Sequence, residues 1–318
     1  MKDPEVEVVD TTEQIVRLID SIVAPRPSSP ILYIDLEGVK LSRHGSVSIL
    51  TLLVDRDNTQ RVYLVDVHAL NALAFSTAGT TNKTLKHILE AQQIIKVFFD
   101  VRNDSDALFA HYGIALKGVE DVQVMESATR KTTASRQHLN SLAKCIKDNL
   151  SCFTNRQELA RWKLTKTNGE RLFKPKLGGS YDVFNQRPIP KELIGYCVGD
   201  VKYLADLRNF FLARIHNSRH LVDEVSRARV AASQNPAYQP HSQHKAMAPW
   251  TKEQNAFLDQ INSPQGSCSR RNGLDIDDEF DIIDPFDNGE PDYDDWDDGP
   301  TSCRDIINDC DMHYYYSD

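Results

Sequence analysis

The stretch Ile31-Leu32-Tyr33-Ile34-Asp35-Leu36-Glu37-Gly38 constrains this chain most. Four apolar residues in a row read as a buried strand. The run then closes on carboxylates at i and i+2, whose side chains leave a strand on the same face. Two negative charges side by side at the end of a buried strand repel, and a folded chain tolerates them best around a cation. A strand that frays into a polar turn explains a lone Asp-x-Glu more simply. The rest of the chain decides between the two.

A second carboxylate signal lies far along the sequence. Pro190-Lys191-Glu192 opens a helical pattern that runs to about Ile215. At about 100° per residue, Leu193, Ile194, Cys197, Val201, Leu204, Leu207 and Phe211 share one stripe. Asp200 falls inside that stripe, and Tyr196 lies at its edge one turn earlier. A carboxylate facing the core is costly unless it is paired or holds a metal. A buried ion pair or backbone amides would serve as well. Asp104 follows the strand pattern Ile94 to Phe99 and the turn Asp100-Val101-Arg102-Asn103. At such a junction Asn103 or Asp104 can simply be a helix N-cap. Taken together the signals change meaning. Asp35, Glu37 and Asp104 all lie where a strand ends, and Asp200 faces inward beside a phenol. Oxygen ligands of this kind suit Mg²⁺ or Mn²⁺. Two such ions roughly 3.5–4 Å apart can activate water and stabilise the leaving oxygen of a phosphodiester.

The order of elements predicts α/β architecture. Residues 1–30 read as a lead-in. Thr11-Thr12-Glu13-Gln14 caps an amphipathic helix, and a Pro/Ser turn from Pro25 to Pro30 delivers the chain to the first strand. Val47–Val54 and Arg61–Asp66 follow through short turns, as antiparallel neighbours do. Ile94–Phe99 and Val119–Val124 then alternate with helices. The expected fold is a mixed sheet, an antiparallel meander followed by βα units, flanked by helices. Helices are expected over most of Met125–Arg161 and over Leu221–Ala232. The folded unit is expected to span 31–235. Beyond Pro236 the pattern fades, and residues 236–318 are expected to be largely disordered.

The net charge of −9 conceals a division. The stretch from about Leu274 to Asp318 carries −16, and the remainder carries +7. A cationic body suits a polyanionic partner. The acidic tail is expected either to compete with that partner or to act only as a solubilising appendage. The six cysteines form no Cys-x-x-Cys, so neither a zinc site nor a disulfide framework is expected. No apolar run is long enough to cross a membrane. These features predict an intracellular protein, nuclear or cytoplasmic, with no membrane association.

The motifs resemble those of the DEDDy 3′–5′ exonucleases of the RNase D-like branch, which have a ribonuclease H-like fold. Asp35 and Glu37 in Ile-Asp-Leu-Glu-Gly match the first motif. Asp104 in the run from Lys96 to Leu108 matches the second. Tyr196-Cys197-Val198-Gly199-Asp200 matches Tyr-x-x-x-Asp of the third. The stretch from Leu172 through Gly178-Gly179-Ser180-Tyr181 to Arg187-Pro188 looks most like exonuclease-domain proteins of fungi. Phe99 stands where many relatives carry His, and Phe184 where RNase D itself carries Trp.

The resemblance implies a 3′–5′ exonuclease using two divalent metal ions, Mg²⁺ or Mn²⁺. Asp35, Glu37 and Asp200 would hold the first, with Asp35 bridging to the second. Asp104 would support the second, and Tyr196 would orient the attacking water. The implied partner is a single-stranded 3′ end, RNA or DNA. Lys40, Arg43, His44, Arg102 and Arg187 are candidates for phosphate contacts, though Arg187 reads equally as a structural ion pair. The other basic residues read as solvated surface. The alternative is a non-catalytic RNA-binding adaptor on the same fold. Such adaptors usually lose ligands, and all five motif residues are present here.

Overall fold

The computed structural model describes residues 4–57, 59–149 and 154–263. The acidic stretch and its expected disorder lie outside the described residues. The elements run β1 (Glu5–Val9), α1 (Thr12–Val23), β2 (Ile31–Glu37), β3 (Ile49–Arg56) and β4 (Thr59–Asp66). Two single turns, α2 (Val67–Leu70) and α3 (Leu73–Ser76), precede α4 (Leu85–Glu90), β5 (Ile95–Phe98), α5 (Arg102–Tyr112) and β6 (Val119–Asp121). Then come α6 (Val122–Thr129), α7 (Thr133–Arg136), α8 (Leu142–Asn149) and α9 (Arg156–Phe173). The series closes with α10 (Lys191–Lys202), α11 (Leu204–Leu212), α12 (Arg219–Ser233) and α13 (Lys252–Asn262).

The six strands form one mixed sheet in the order β1-β4-β3-β2-β5-β6. The β2-β3-β4 meander is antiparallel, and β5 and β6 add in parallel beside β2. This is the expected ribonuclease H-like mixed sheet flanked by helices. The two faces carry separate cores, as strand alternation requires. Leu32, Ile34 and Leu36 of β2 pack with α1, α4 and α5 on one side. Tyr33 packs on the other side with Val122 and Met125 of α6 and Leu193 and Cys197 of α10. Asp35 and Glu37 continue the Tyr33 face. That parity places them under α10.

Four expectations need correction. Glu5–Val9 lies inside the expected lead-in, yet it pairs with β4 in parallel as an edge strand. Its apolar–polar alternation is legible but short. The expected strand Val119–Val124 ends at Asp121, whose carboxylate caps α6 by accepting from Gln123 N. The helix expected to run unbroken from Pro190 divides at Tyr203, which is buried and edge-on to Trp162. Residues 236–263 are also more ordered than expected. In α13, Leu258 is buried, and Asn255 and Asp259 hold the Arg136 guanidinium. Just before it, Trp250 is buried and donates to Ser127 Oγ. A few large anchors suffice here, which is why no strong periodicity marks the segment.

One buried cation stands apart from the site. Lys96 of β5 is fully buried, and its Nζ donates to the Ala91 and Ile88 carbonyls at the end of α4, at 2.5 and 3.4 Å. Burial pushes this lysine down from 10.5 to about 7. Between those values the unfolded chain binds more protons than the folded one, so stability rises with pH across the interval. Lys96→Met is expected to remove that rise. Urea midpoints at pH 6.5 to 10 for both proteins check it, and parallel curves would mean that Lys96 titrates normally.

Candidate active site

The site begins at the exit of β2. Asp35 faces Thr51 across the antiparallel ladder, and Glu37 faces Ile49. The chain must then turn sharply. A Cβ at Gly38 would stand 2.0 Å from the Ser46 carbonyl oxygen, so only glycine permits the loop to close there. Above this face runs α10. Leu193, Cys197 and Val201 anchor its inner stripe, and Asp200 lies on the same stripe, buried. The two elements bring Asp35, Glu37 and Asp200 together, with one carboxylate oxygen from each within 4.8 Å of the others.

Against α10 packs α9, and the crossing depends on small residues. A Cβ on Gly169 would meet the Tyr196 Cβ at 2.4 Å. One on Gly199 would meet Trp162 Nε1 at 3.2 Å, and that indole nitrogen donates to the Gly199 carbonyl at 3.1 Å. Tyr196 is thereby held from several sides. Phe173 stands edge-on to its ring, with centroids 5.2 Å apart, and Phe184 backs Phe173 at 5.1 Å. The Lys166 ammonium lies 4.6 Å from the Tyr196 ring centroid and donates to Asp200 Oδ1 at 2.6 Å.

Lys166 was missed by sequence reading, which placed such lysines on the solvated surface. A signal existed. Trp162, Lys166, Gly169 and Phe173 recur at helical spacing on one face of α9, so Lys166 is a cation on a packing stripe.

The electrostatics follow from crowding. Burial, with the Asp200 charge adding to it, pushes Asp35 up to about 7. Burial and the Asp35 and Asp200 charges push Glu37 well up. Burial also raises Tyr196, with Asp200, Glu37 and Asp35 acting in the same direction, so its phenol stays protonated. Lys166 resolves the other way. Burial disfavours its charge, but the Asp200 charge and hydrogen bond, together with the Glu170 and Asp35 charges, outweigh that and raise it. Asp35 Oδ2 is buried with no hydrogen-bond partner. An orphaned carboxylate oxygen beside two further carboxylates is a donor set suited to a hard divalent cation.

Asp104 stands outside the compact trio but inside its field. Burial and the Asp35 charge push it well above its ordinary range. It does not cap α5. The helix begins at Arg102, and Asp104 lies in its first turn, buried. The Asp121 carboxylate accepts from Asp100 N and Val101 N just before the helix, and it pairs with Arg229 of α12.

Of the five basic candidates, three have their guanidinium groups engaged internally. Arg43 pairs with Asp106 and donates to the carbonyls of Ser233, Asn235 and Pro236. Arg102 forks onto Asp100 and reaches the Lys245 carbonyl. Arg187 clamps Asp66 and donates to the carbonyls of Ser48, Phe184 and Gln186, which is the ion-pair alternative. These arginines brace the loops around the site. Lys40 and His44 are exposed on the loop that follows Glu37.

Comparison with known proteins identifies the family. A family model described as 3′–5′ exonuclease matches residues 6–216. The chain is similar to the piRNA biogenesis protein EXD1 of Mus musculus, 29% identical over 58% of this chain and 30% of that protein. It thus spans about a third of that relative's length. Among solved structures it resembles Trypanosoma brucei RNase D, with a TM-score of 0.59 and 21% identity over 82% of each chain. The same RNase D in complex with RNA U12 superposes with a TM-score of 0.57, 20% identical over 81% of this chain and 79% of that one.

The α9–α10 crossing yields a direct test. Gly169→Ala adds a helix-favouring residue, worth up to about 1 kcal/mol in an open helix. Overpacking against Tyr196 is expected to outweigh it, for a net loss of about 1–2 kcal/mol. Urea unfolding followed by tryptophan fluorescence measures the balance. A stabilised variant would show that α9 can lift from α10 without cost.

Proposed function

Because the chain belongs to the 3′–5′ exonuclease family, we propose that it hydrolyses phosphodiester bonds from the 3′ end of single-stranded nucleic acid with the help of divalent ions. The observation that carries this reading is the trio Asp35, Glu37 and Asp200, the first two half-buried and the third buried, with its orphaned Asp35 oxygen and the Tyr196 phenol alongside. Asp35, Glu37 and Asp200 would hold a first Mg²⁺ or Mn²⁺, and the buried Asp104, which feels the Asp35 charge, would support a second. Ions so held supply activated water and charge stabilisation at the leaving oxygen.

The chain's own residues do the rest. A phenol ordinarily titrates at about 10, so the role that suits Tyr196 is to orient water by hydrogen bonding rather than to act as a general base. Its ring is fixed between Phe173 and Lys166. Lys40 and His44 lie on the loop leaving Glu37, where exposed cationic or polar groups can position a phosphate backbone. RNA is the polymer to test first, because the relatives include an RNase D solved with RNA and a protein named for piRNA biogenesis. A non-catalytic RNA-binding adaptor is the competing reading. The presence of all five motif residues favours hydrolysis.

Two substitutions test the assignment. Asp200→Asn is expected to abolish release of mononucleotides from a 3′ end. It should also weaken the rise in melting temperature that Mn²⁺ causes by linkage in the unaltered protein. Equal metal-induced shifts in the two proteins would remove Asp200 from the metal site. Tyr196→Phe is expected to keep metal and oligonucleotide affinity while slowing single-turnover cleavage by about 10²-fold. A variant as fast as the parent would leave the tyrosine a packing role alone.

A further inference from the structure

Lys166 occupies a position that the exonuclease reading does not require. Its side chain is 17% exposed and its partner Asp200 7% exposed, with Nζ 2.6 Å from Asp200 Oδ1. The backbone that carries Lys166 is held in place. Its own helix is pinned to α10 at Gly169 and at the Trp162–Gly199 hydrogen bond, and the ammonium also lies over Tyr196 at 4.6 Å and Trp162 at 5.9 Å. The charges facing it are Asp200, Glu170 and Asp35. Two of these, Asp200 and Asp35, belong to the trio.

An ammonium bonded to Asp200 and a divalent ion held by Asp200 place like charges within a few ångströms of each other. In a partly dehydrated site that repulsion is strong. Lysine carries its charge on a flexible four-carbon stem, so the ammonium can turn away while the helix stays in place. Resting on the reading of the trio as a metal site, we propose that Lys166 is the resident cation of that site and competes with the divalent ion for Asp200. Metal entry displaces the ammonium from Asp200. A phosphate that accepts the displaced ammonium repays the lost ion pair, so metal and nucleic acid favour each other's binding, as linkage requires. Three carboxylates are thus partly neutralised in the protein without metal, and the site is held back from filling until substrate arrives.

The test is Mn²⁺ titration calorimetry on the full chain without nucleic acid. Asp200→Asn serves as the reference for ions held elsewhere, the acidic stretch included. Lys166→Met keeps the stem over Tyr196 and removes the charge, and Lys166→Arg keeps the charge. Lys166→Met is expected to bind Mn²⁺ at the Asp200-dependent site about tenfold more tightly, within the usual range of coupling between sites. Lys166→Arg is expected to stay near the parent. A uridine 5′-monophosphate supplement is expected to tighten Mn²⁺ binding more in the parent than in Lys166→Met. Unchanged or weaker affinity in Lys166→Met, with Asp200→Asn still losing the site, overturns the competition and leaves the metal reading intact. Identical isotherms for the parent, Asp200→Asn and Lys166→Met overturn both.

Discussion

Like charges at the end of a buried strand repel, and the repulsion grows as water is removed. The Asp35–Glu37–Asp200 trio lives under that constraint, and its surroundings answer it in parts. Strand parity puts Asp35 and Glu37 on the Tyr33 face, and the apolar stripe of α10 puts Asp200 above them. Protons answer some of the repulsion, since burial and neighbouring charge raise both Asp35 and Glu37. Lys166 answers more, through its contact with Asp200. An orphaned oxygen on Asp35 still remains. Geometry fixed by the sheet and a compensation that is incomplete are together what a cation site needs.

Legibility in the sequence tracked the range of the interaction. The β2 run and the α10 stripe are local patterns, so Asp35, Glu37, Tyr196 and Asp200 could be placed before any coordinates. Asp104 was legible only as a junction residue, because a cap and a buried ligand look alike until the helix start is known to be Arg102. The arginines were less legible still. Arg43 is tied to residues about 190 positions away, and no local pattern counts such partners. Lys96 and Lys166 were both read as surface because lysine usually is. One ends under helix carbonyls and the other among carboxylates.

Small residues at one helix crossing let the elements of the site approach each other. Gly169 lets α9 approach until its backbone meets Tyr196, and that approach delivers both Lys166 and Phe173 to the same ring. Phe184 backs Phe173, and Arg187 anchors its own loop by donating to the Phe184 carbonyl and clamping Asp66 at the end of β4. The Gly-Gly-Ser-Tyr stretch and the arginine that follows it thereby act on the phenol from a distance.

The structural unit also outruns the family match, which ends at residue 216. Arg229 of α12 pairs with Asp121, the residue that accepts the two amides leading into α5. Further on, Lys245 Nζ and the Tyr238 hydroxyl both donate to Asn103 Oδ1, the neighbour of Asp104. Arg43 ties the loop after Glu37 to carbonyls at the end of α12. The segment that follows the exonuclease motifs therefore buttresses two of them at once. Its α12 is legible in the sequence because Leu221, Val222, Val225 and Val230 enter the core, whereas beyond Pro236 only isolated apolar anchors such as Trp250 and Leu258 are buried. Its polar contacts are long-range and brace the start of the Asp104 helix.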